Sequence, residues 1–403
     1  MTLQPPKPEK TALKFLAPLK HLHISRFWRR SLLILLSFWL VISVWQAPTI
    51  NQGKAQSQEL RGVWITNLGA ALMYYTTRLD EVVANLANHH LNTIYPAVWN
   101  RGATLHKSAV AQQAGAWNRE PLTTLPLVPF TDVLSGLVNQ AHRQHLRLIP
   151  WFEYGLMIPT NSGIAKKHPD WLTTTESGEK GRGWLNPFHP EVQQFLTDLI
   201  VDVVKRYPVD GIQLDDHFGL PVEFGYDSYT AKLYRAEHGS AKPPSNPNNA
   251  EWVAWRAKRI TKFMGKISSS VKAVRKDAIV SLSPNSPDFA YRNYLQDWRR
   301  WVKLGLVDEV IVQVYRPNLA DLESELDNGG FSHLRQKVPI SIGLYTGPFL
   351  NSKPIQKLQK EVQAVQKANY NGVSFFCWET TFWFFKGGTG NQVQQTLIKL
   401  FPN

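Results

Sequence analysis

The stretch VDGIQLDDHF, residues 209–218, decides the reading of this chain. Asp210 and Gly211 open a short run, and two acids, a histidine and a phenylalanine close it. Successive residues of a strand point to opposite faces. Gln213 therefore shares a face with Asp215, while Ile212 and Leu214 occupy the other. A strand that is apolar behind, polar in front and acidic at its C-terminal end fits the wall of an α/β barrel, whose sites sit at that end of the strands.

Seven further runs carry the same character. They are RGVWIT (61–66), NTIYPAVW (92–99), LRLIPWFE (146–153), AIVSLSPN (278–285), EVIVQVY (309–315), PISIGLY (339–345) and GVSFFCWE (372–379). Amphipathic stretches with apolar residues at three-to-four spacing separate them, at 79–90, 130–145, 191–207, 251–276, 297–305 and 355–369. Strands alternating with helices predict a parallel sheet, and eight such units predict a closed (β/α)₈ TIM barrel over residues 59–403. Parity extends the polar track. Ser281 and Ser283 share a face with Asn285, Gln313 with Tyr315, and Ser341 with Tyr345. Ile279, Leu282, Val312 and Val314 are assigned to the helix-facing side. Insertions after strands two, three and four (100–129, 154–190 and 217–250) would lie on the C-terminal face.

Three predicted strands end in acids: Glu153, the pair Asp215 and Asp216, and Glu379. Hydrolysis of a glycosidic bond needs two carboxyl groups, one to protonate the leaving oxygen and one to attack carbon or activate water. Asp215 is the leading catalytic residue, with Asp216 beside it able to raise one pKa of the pair. Glu153 and Glu379 both stand among aromatics, where a carboxyl can be held protonated as a general acid. Either fits as the proton donor. Asp210, Asp308 and Glu309 fall at strand starts and belong to the opposite rim. Asn67, Trp99, Asn100, His217, Asn285, Gln313, Tyr315, Arg316 and Trp378 are candidate sugar-binding residues, since amides pair with hydroxyls and aromatic rings offer flat apolar faces.

The first 58 residues read as an address. Residues 1–30 form a basic tail expected to stay in the cytoplasm. Residues 31–47 hold the apolar run SLLILLSFWLVISVW, a signal-peptide core or a signal anchor. Residues 48–58 read as a linker. Half of the formal net charge of +14 lies within residues 1–55. The remaining positive charge suits an anionic wall polymer or a membrane surface. No basic and aromatic stripe suggests nucleic acid. The single cysteine, Cys377, sits in an apolar run and excludes an intrachain disulfide. No dinucleotide, phosphate-loop, zinc-peptidase or nucleophile-elbow motif appears, so neither a metal nor a cofactor is expected.

RGVWIT, VDGIQLDDHF and DEVIVQVYRP together resemble the glycosyl hydrolase-like 10 family, over about residues 59–385. The resemblance implies an exported (β/α)₈ barrel related to glycoside hydrolases. A bacterial member of this kind acts on peptidoglycan glycan strands stripped of their peptides, which implies a similar glycan here. The third strand departs from the family in ending WFEYG, where an Asn or similar residue would follow Trp-Phe. The N-terminal segment also lacks a lipid-anchoring cysteine. The expected function is exported hydrolysis of O-glycosidic bonds in a polysaccharide. One alternative is a non-catalytic glycan-binding barrel that organises the wall. Another is a metal-dependent deacetylase, which the scattered histidines disfavour.

Overall fold

The computed structural model describes residues 26–45, 59–70, 79–117, 132–383 and 386–402. The chain divides into two compact units, residues 1–49 and 50–403.

In the larger unit the main sheet has eight parallel strands. They are β1 (Leu60–Ile65), β2 (Thr93–Pro96), β3 in two pieces (Arg147–Leu148 and Trp151–Phe152), β4 (Gly211–Asp215), β5 (Ile279–Ser283), β6 (Glu309–Gln313), β7 (Ile340–Tyr345) and β8 (Gly372–Phe376). Hydrogen bonding runs in the order β2–β1–β8–β7–β6–β5–β4. The two pieces of β3 close the ring. The first pairs with β2 through Thr93↔Arg147, and the second with β4 through Trp151↔Gln213. Pro150 interrupts β3 because it has no N–H to give to the ladder. A bridge between Ala97 and Trp151 carries the β2–β3 pairing past it.

Side-chain parity sorts the core into two bodies. Leu60, Trp64, Tyr95, Ala97, Ile149, Trp151 and Ile311 fill the barrel interior, with Ile279 and Phe376 packed against them. Ile279 therefore belongs inside with Ser281, not on the helix-facing side. The outer body joins residues such as Ile212, Leu214, Val310 and Val312 to the surrounding helices. Interior rings this large need small neighbours. A Cβ on Gly62 would stand 2.9 Å from Tyr95 Cε2, and one on Gly343 would stand 3.1 Å from Trp64 Cη2.

The interior is layered. At the N-terminal rim Tyr95 Oη donates to Glu309 Oε1 at 2.9 Å, and Arg147 Nη1 meets Glu309 Oε2 at 3.1 Å. Glu309 thus has the structural role that its strand-start position implied. Above it Trp64 Nε1 donates to Gln213 Oε1 at 2.6 Å, and Gln213 Nε2 donates to Ser281 Oγ at 2.9 Å. The acids of the C-terminal rim form the next layer.

The expected helices form at Leu79–Asn88, Val133–Arg143, Pro190–Arg206, Ala250–Val274, Trp298–Lys303 and Ile355–Lys367. The insertion after β4 holds a further helix, Ser228–Glu237, whose N-cap Asp227 accepts from Thr230 N. Asp227 also accepts from Thr173 Oγ1 at 2.8 Å and Asn186 Nδ2 at 2.9 Å. This network ties the loop after β3 to the loop after β4 over the barrel mouth.

The smaller unit contains a helix, Arg26–Trp45, with Leu32, Leu33, Ile34 and Leu35 exposed. Among the described residues, no helix is long and apolar enough to cross a membrane. The linker expected at 48–58, and residues 1–25 of the tail, lie outside the described residues.

Candidate active site

Asp215 ends β4 and is buried, on the interior side with Gln213. Its Oδ2 accepts from Trp151 Nε1 at 3.0 Å and its Oδ1 from His217 N at 2.9 Å. Burial and the adjacent Asp216 push its carboxyl up to about 6, against the pull of His217. Glu153 directly follows β3. The β3–β4 register runs Trp151↔Gln213 and Phe152↔Leu214. Glu153 lies one residue past this paired segment, in a turn, and close enough to Asp215 for their charges to interact. Burial pushes the Glu153 carboxyl up to about 8, with the Asp215 and Glu379 charges adding to the shift and the Asn100 amide opposing it.

Asp216 differs from its neighbour. Its Oδ2 accepts from Asn285 Nδ2 at 3.0 Å and its Oδ1 faces Gln313 Nε2 at 3.4 Å. With His217 these donors outweigh burial and hold its carboxyl below the usual range. His217 Nδ1 lies 3.5 Å from Asp215 Oδ1 and 3.3 Å from Asp216 Oδ1, so the imidazole is held protonated between two acids despite its burial. Its ring stacks on Tyr154 (5.2 Å, 6°) and on Trp184 (6.1 Å, 17°). Asp215, Asp216 and His217 offer three ligand atoms within 4.8 Å of one another. The N–H donors of Trp151, Asn285 and Gln313 already point at those carboxylates, which suits bare anions better than metal ligands.

Several expected sugar binders have other work. Asn100 is buried and its amide Nδ2 donates to Glu153 Oε2. Asn285 and Gln313 hold Asp216, and Gln313 Nε2 also donates to the Ser283 carbonyl at 2.8 Å. Carboxylates at the mouth need donors, and the nearest amides supply them. Trp99 is fully buried, with Nε1 donating to the Gly155 carbonyl at 3.1 Å, so it offers no face to a ligand. Trp378 is likewise buried in the outer core. Arg316 pairs with Glu325 at 2.7 Å and is half-exposed. Asn67 is half-buried and begins a helical turn next to Thr66. Tyr315 lies just beyond β6, its ring 5.7 Å from Phe376 and 5.7 Å from Tyr345.

Glu379 is not at a strand end. It lies on the short helix Trp378–Thr381, because β8 stops at Phe376. It is buried; Oε1 accepts from Thr66 N and Thr66 Oγ1, and Oε2 has no partner. Gly69 packs so closely on it that a Cβ there would overlap Oε1.

Reasoning from sequence passed over Trp151, Tyr154, Trp184 and Phe376. Phe376 sits within 6.4 Å, ring to ring, of Trp64, Trp151, Tyr315 and Tyr345, making an aromatic floor beside the acids. Parity carries the signal for two of them: Trp151 and Phe376 share the inward face with Glu153 and Ser374. No local signal marks Trp184, which reaches His217 only through the loop network.

Two cavities continue along the rim. One of about 380 Å³ is lined by Asn285, Phe289, Arg316 and Glu325. The other, about 690 Å³, is lined by Arg316, Tyr345, Lys353 and Lys357. Neither contains Asp215; Asn285, which holds Asp216, links the first to the acids.

A closed barrel with acids at its C-terminal mouth is an arrangement that glycoside hydrolases also use. Residues 59–378 match the family described as "Glycosyl hydrolase-like 10", and the chain belongs to that family. It is 25% identical over 310 residues to glycosyl hydrolase DigH of Escherichia coli strain K12, covering 65% of this chain and 66% of that protein. It is 21% identical over 310 residues to glycosyl hydrolase YngK of Bacillus subtilis strain 168, covering 68% of this chain and 58% of that protein. The chain thus spans just under two thirds of DigH and somewhat less of YngK. Among solved structures, the fold is similar to the glycoside hydrolase domain of PgaB (BpsB) from Bordetella bronchiseptica, with TM-score 0.62 and 12% identity. That likeness covers 80% of this chain and 94% of the other. A beta-galactosidase from Rahnella sp. R3 is similar at TM-score 0.61 and 13% identity, over 88% of this chain and 57% of the other.

Proposed function

We propose that this chain hydrolyses O-glycosidic bonds in an extracellular or cell-wall polysaccharide, with peptide-free glycan strands of peptidoglycan as the substrate to test first. The observation that carries the reading is the Glu153–Asp215 pair. Glu153 directly follows β3 and Asp215 ends the adjacent β4; the charge of Asp215 acts on Glu153, and the two carboxyls are tuned to about 8 and about 6. At neutral pH Glu153 keeps its proton and Asp215 is mostly ionised. That is the division of labour that glycoside hydrolysis requires. Glu153 would protonate the leaving oxygen. Asp215 would attack the anomeric carbon or deprotonate the attacking water. The protonated His217, itself held by Asp216, would steady the charge on Asp215, and the Phe376 floor would take the apolar face of a sugar ring.

Glu153 is favoured over Glu379 as the donor because Glu379 is buried behind Thr66 and Gly69. Membership of a hydrolase-like family and relatives named as glycosyl hydrolases support the reaction class. The basic tail and apolar run at residues 1–47 support export, either with cleavage or as a retained anchor that places the barrel at a membrane surface.

The test is incubation of the protein with intact peptidoglycan, peptide-free glycan strands and an unrelated exopolysaccharide, with new reducing ends counted. Products from the peptide-free strands are expected. Binding without new ends on any glycan would favour a non-catalytic wall-organising barrel.

A further inference from the structure

We propose that the cavity of about 690 Å³ beside Tyr345 receives an anionic substituent, a carboxylate or a phosphate, carried by a sugar adjacent to the one cleaved. This deepens the reading above and takes from it only that the ligand is a sugar chain.

The cavity has four cations on its wall, Arg316, Lys353, Lys357 and Lys360, against one acid, Glu361. Two of these cations are already matched. Lys353 Nζ holds both oxygens of Glu361 at 2.7 and 2.8 Å, and Arg316 Nη2 holds Glu325 Oε2 at 2.7 Å. Lys357 and Lys360 are left over. They stand three residues apart on the helix Ile355–Lys367, hence on one side of it, and both are exposed. Among the described residues, no acid forms an ion pair with either. The rest of the wall includes Pro317, Leu319, Tyr345 and Pro348, which would exclude water from one side of a bound sugar.

The position relative to the acids adds direction. Tyr345 stacks toward Phe376 (6.3 Å) and Tyr315 (5.7 Å), which border the acid cluster. Arg316 lines both rim cavities, and Asn285 joins the smaller one to Asp216. A chain lying from Asp215 past Arg316 therefore reaches the lysines next. Asp215 and Asp216 repel an anionic group at the centre of the mouth, whereas the lysines attract it at one flank. An anionic sugar would bind in only one direction, with its charged substituent over the β7 loop.

The test measures binding to the full-length chain carrying Asp215→Asn, so that strands stay intact. Three probes share one backbone: peptide-free strands of alternating N-acetylglucosamine and N-acetylmuramic acid, the same strands with carboxyls reduced to alcohols, and the reduced strands phosphorylated. The expected result is roughly five- to tenfold tighter binding of a charged strand than of the reduced one, lost at high salt. Whichever charged strand is preferred names the anion. In the K357Q/K360Q variant the ratio should fall to about one. In K258Q/K262Q, which removes the same charge from the outer helix Ala250–Val274, the ratio should persist. Equal binding of charged and reduced strands would overturn the proposal. So would a ratio that survives K357Q/K360Q, or no binding of any strand. Hydrolysis is not read out, so an inactive protein that keeps the preference would count against the proposed reaction and not against this site.

Discussion

At the residue scale, burial moves Asp215 and Glu153 the same way but by different amounts. Asp215 is pulled back by the His217 charge and by hydrogen bonds from His217, while Glu153 has the Asn100 amide and a weaker pull from His217 against the charges of Asp215 and Glu379. Catalysis with Asp215 ionised and Glu153 protonated therefore has a window. Activity should rise as pH passes about 6 and fall as it passes about 8, the two values belonging to the coupled pair. A kcat/KM profile checks this. Glu153→Gln should lower activity by about 10²–10⁴-fold and remove the alkaline fall. The same shift has a stability consequence. A carboxyl whose folded pKa of about 8 exceeds its ordinary value of 4.5 takes up a proton on folding between those values. Its contribution is full below the lower value and lost as pH rises toward 8. Melting temperatures of Glu153→Gln and the parent should therefore diverge in favour of the variant across that interval. An unchanged difference would contradict the raised pKa.

At the element scale, the strand order and the inward track were legible because parity is a local property. Gln213 and Asp215, or Ser281 and Ser283, declare their face by counting. Strand ends were less legible. Tyr315 and Glu379 continue apolar runs, but the ladder stops at Gln313 and Phe376. The acid partners of the amides were illegible for a related reason. Asn100, Asn285 and Gln313 are near each other's acids only in three dimensions, and sequence cannot show that a carboxylate has claimed them. Asn100 is brought to Glu153 by a tight hairpin in which Trp99–Asn100 pairs with Ala103–Thr104, with Arg101 and Gly102 both at positive φ. Gly155 makes a second such turn. Its φ is +40°, and a Cβ would stand 2.7 Å from the His217 carbonyl oxygen. Gly155→Ala should cost about 1–3 kcal/mol in a urea titration and reduce activity by displacing His217 from the two aspartates. Full activity in that variant would show that the position of His217 is not critical.

At the scale of the whole molecule, the barrel forms one compact unit and the first 49 residues another. Residues 59–403 expressed alone should melt at the same temperature as the full chain and keep its activity on soluble glycans. The full chain alone should fractionate with membranes if residues 31–47 are retained. The rim collects what the fold as a whole provides: one acid just after β3 and others at the end of β4, donors from the β2 hairpin, the loop after β5 and β6, an aromatic floor from β8, and flanking lysines after β7. The proposal is that this mouth cuts a sugar chain through Asp215 and Glu153. The most direct measurement is the release of new reducing ends from peptide-free peptidoglycan strands at pH 7 by the parent protein, Asp215→Asn and Glu153→Gln in parallel. Product is expected from the parent, and about 10²–10⁴-fold less from each variant with the fold intact. Equal product from all three proteins would contradict it.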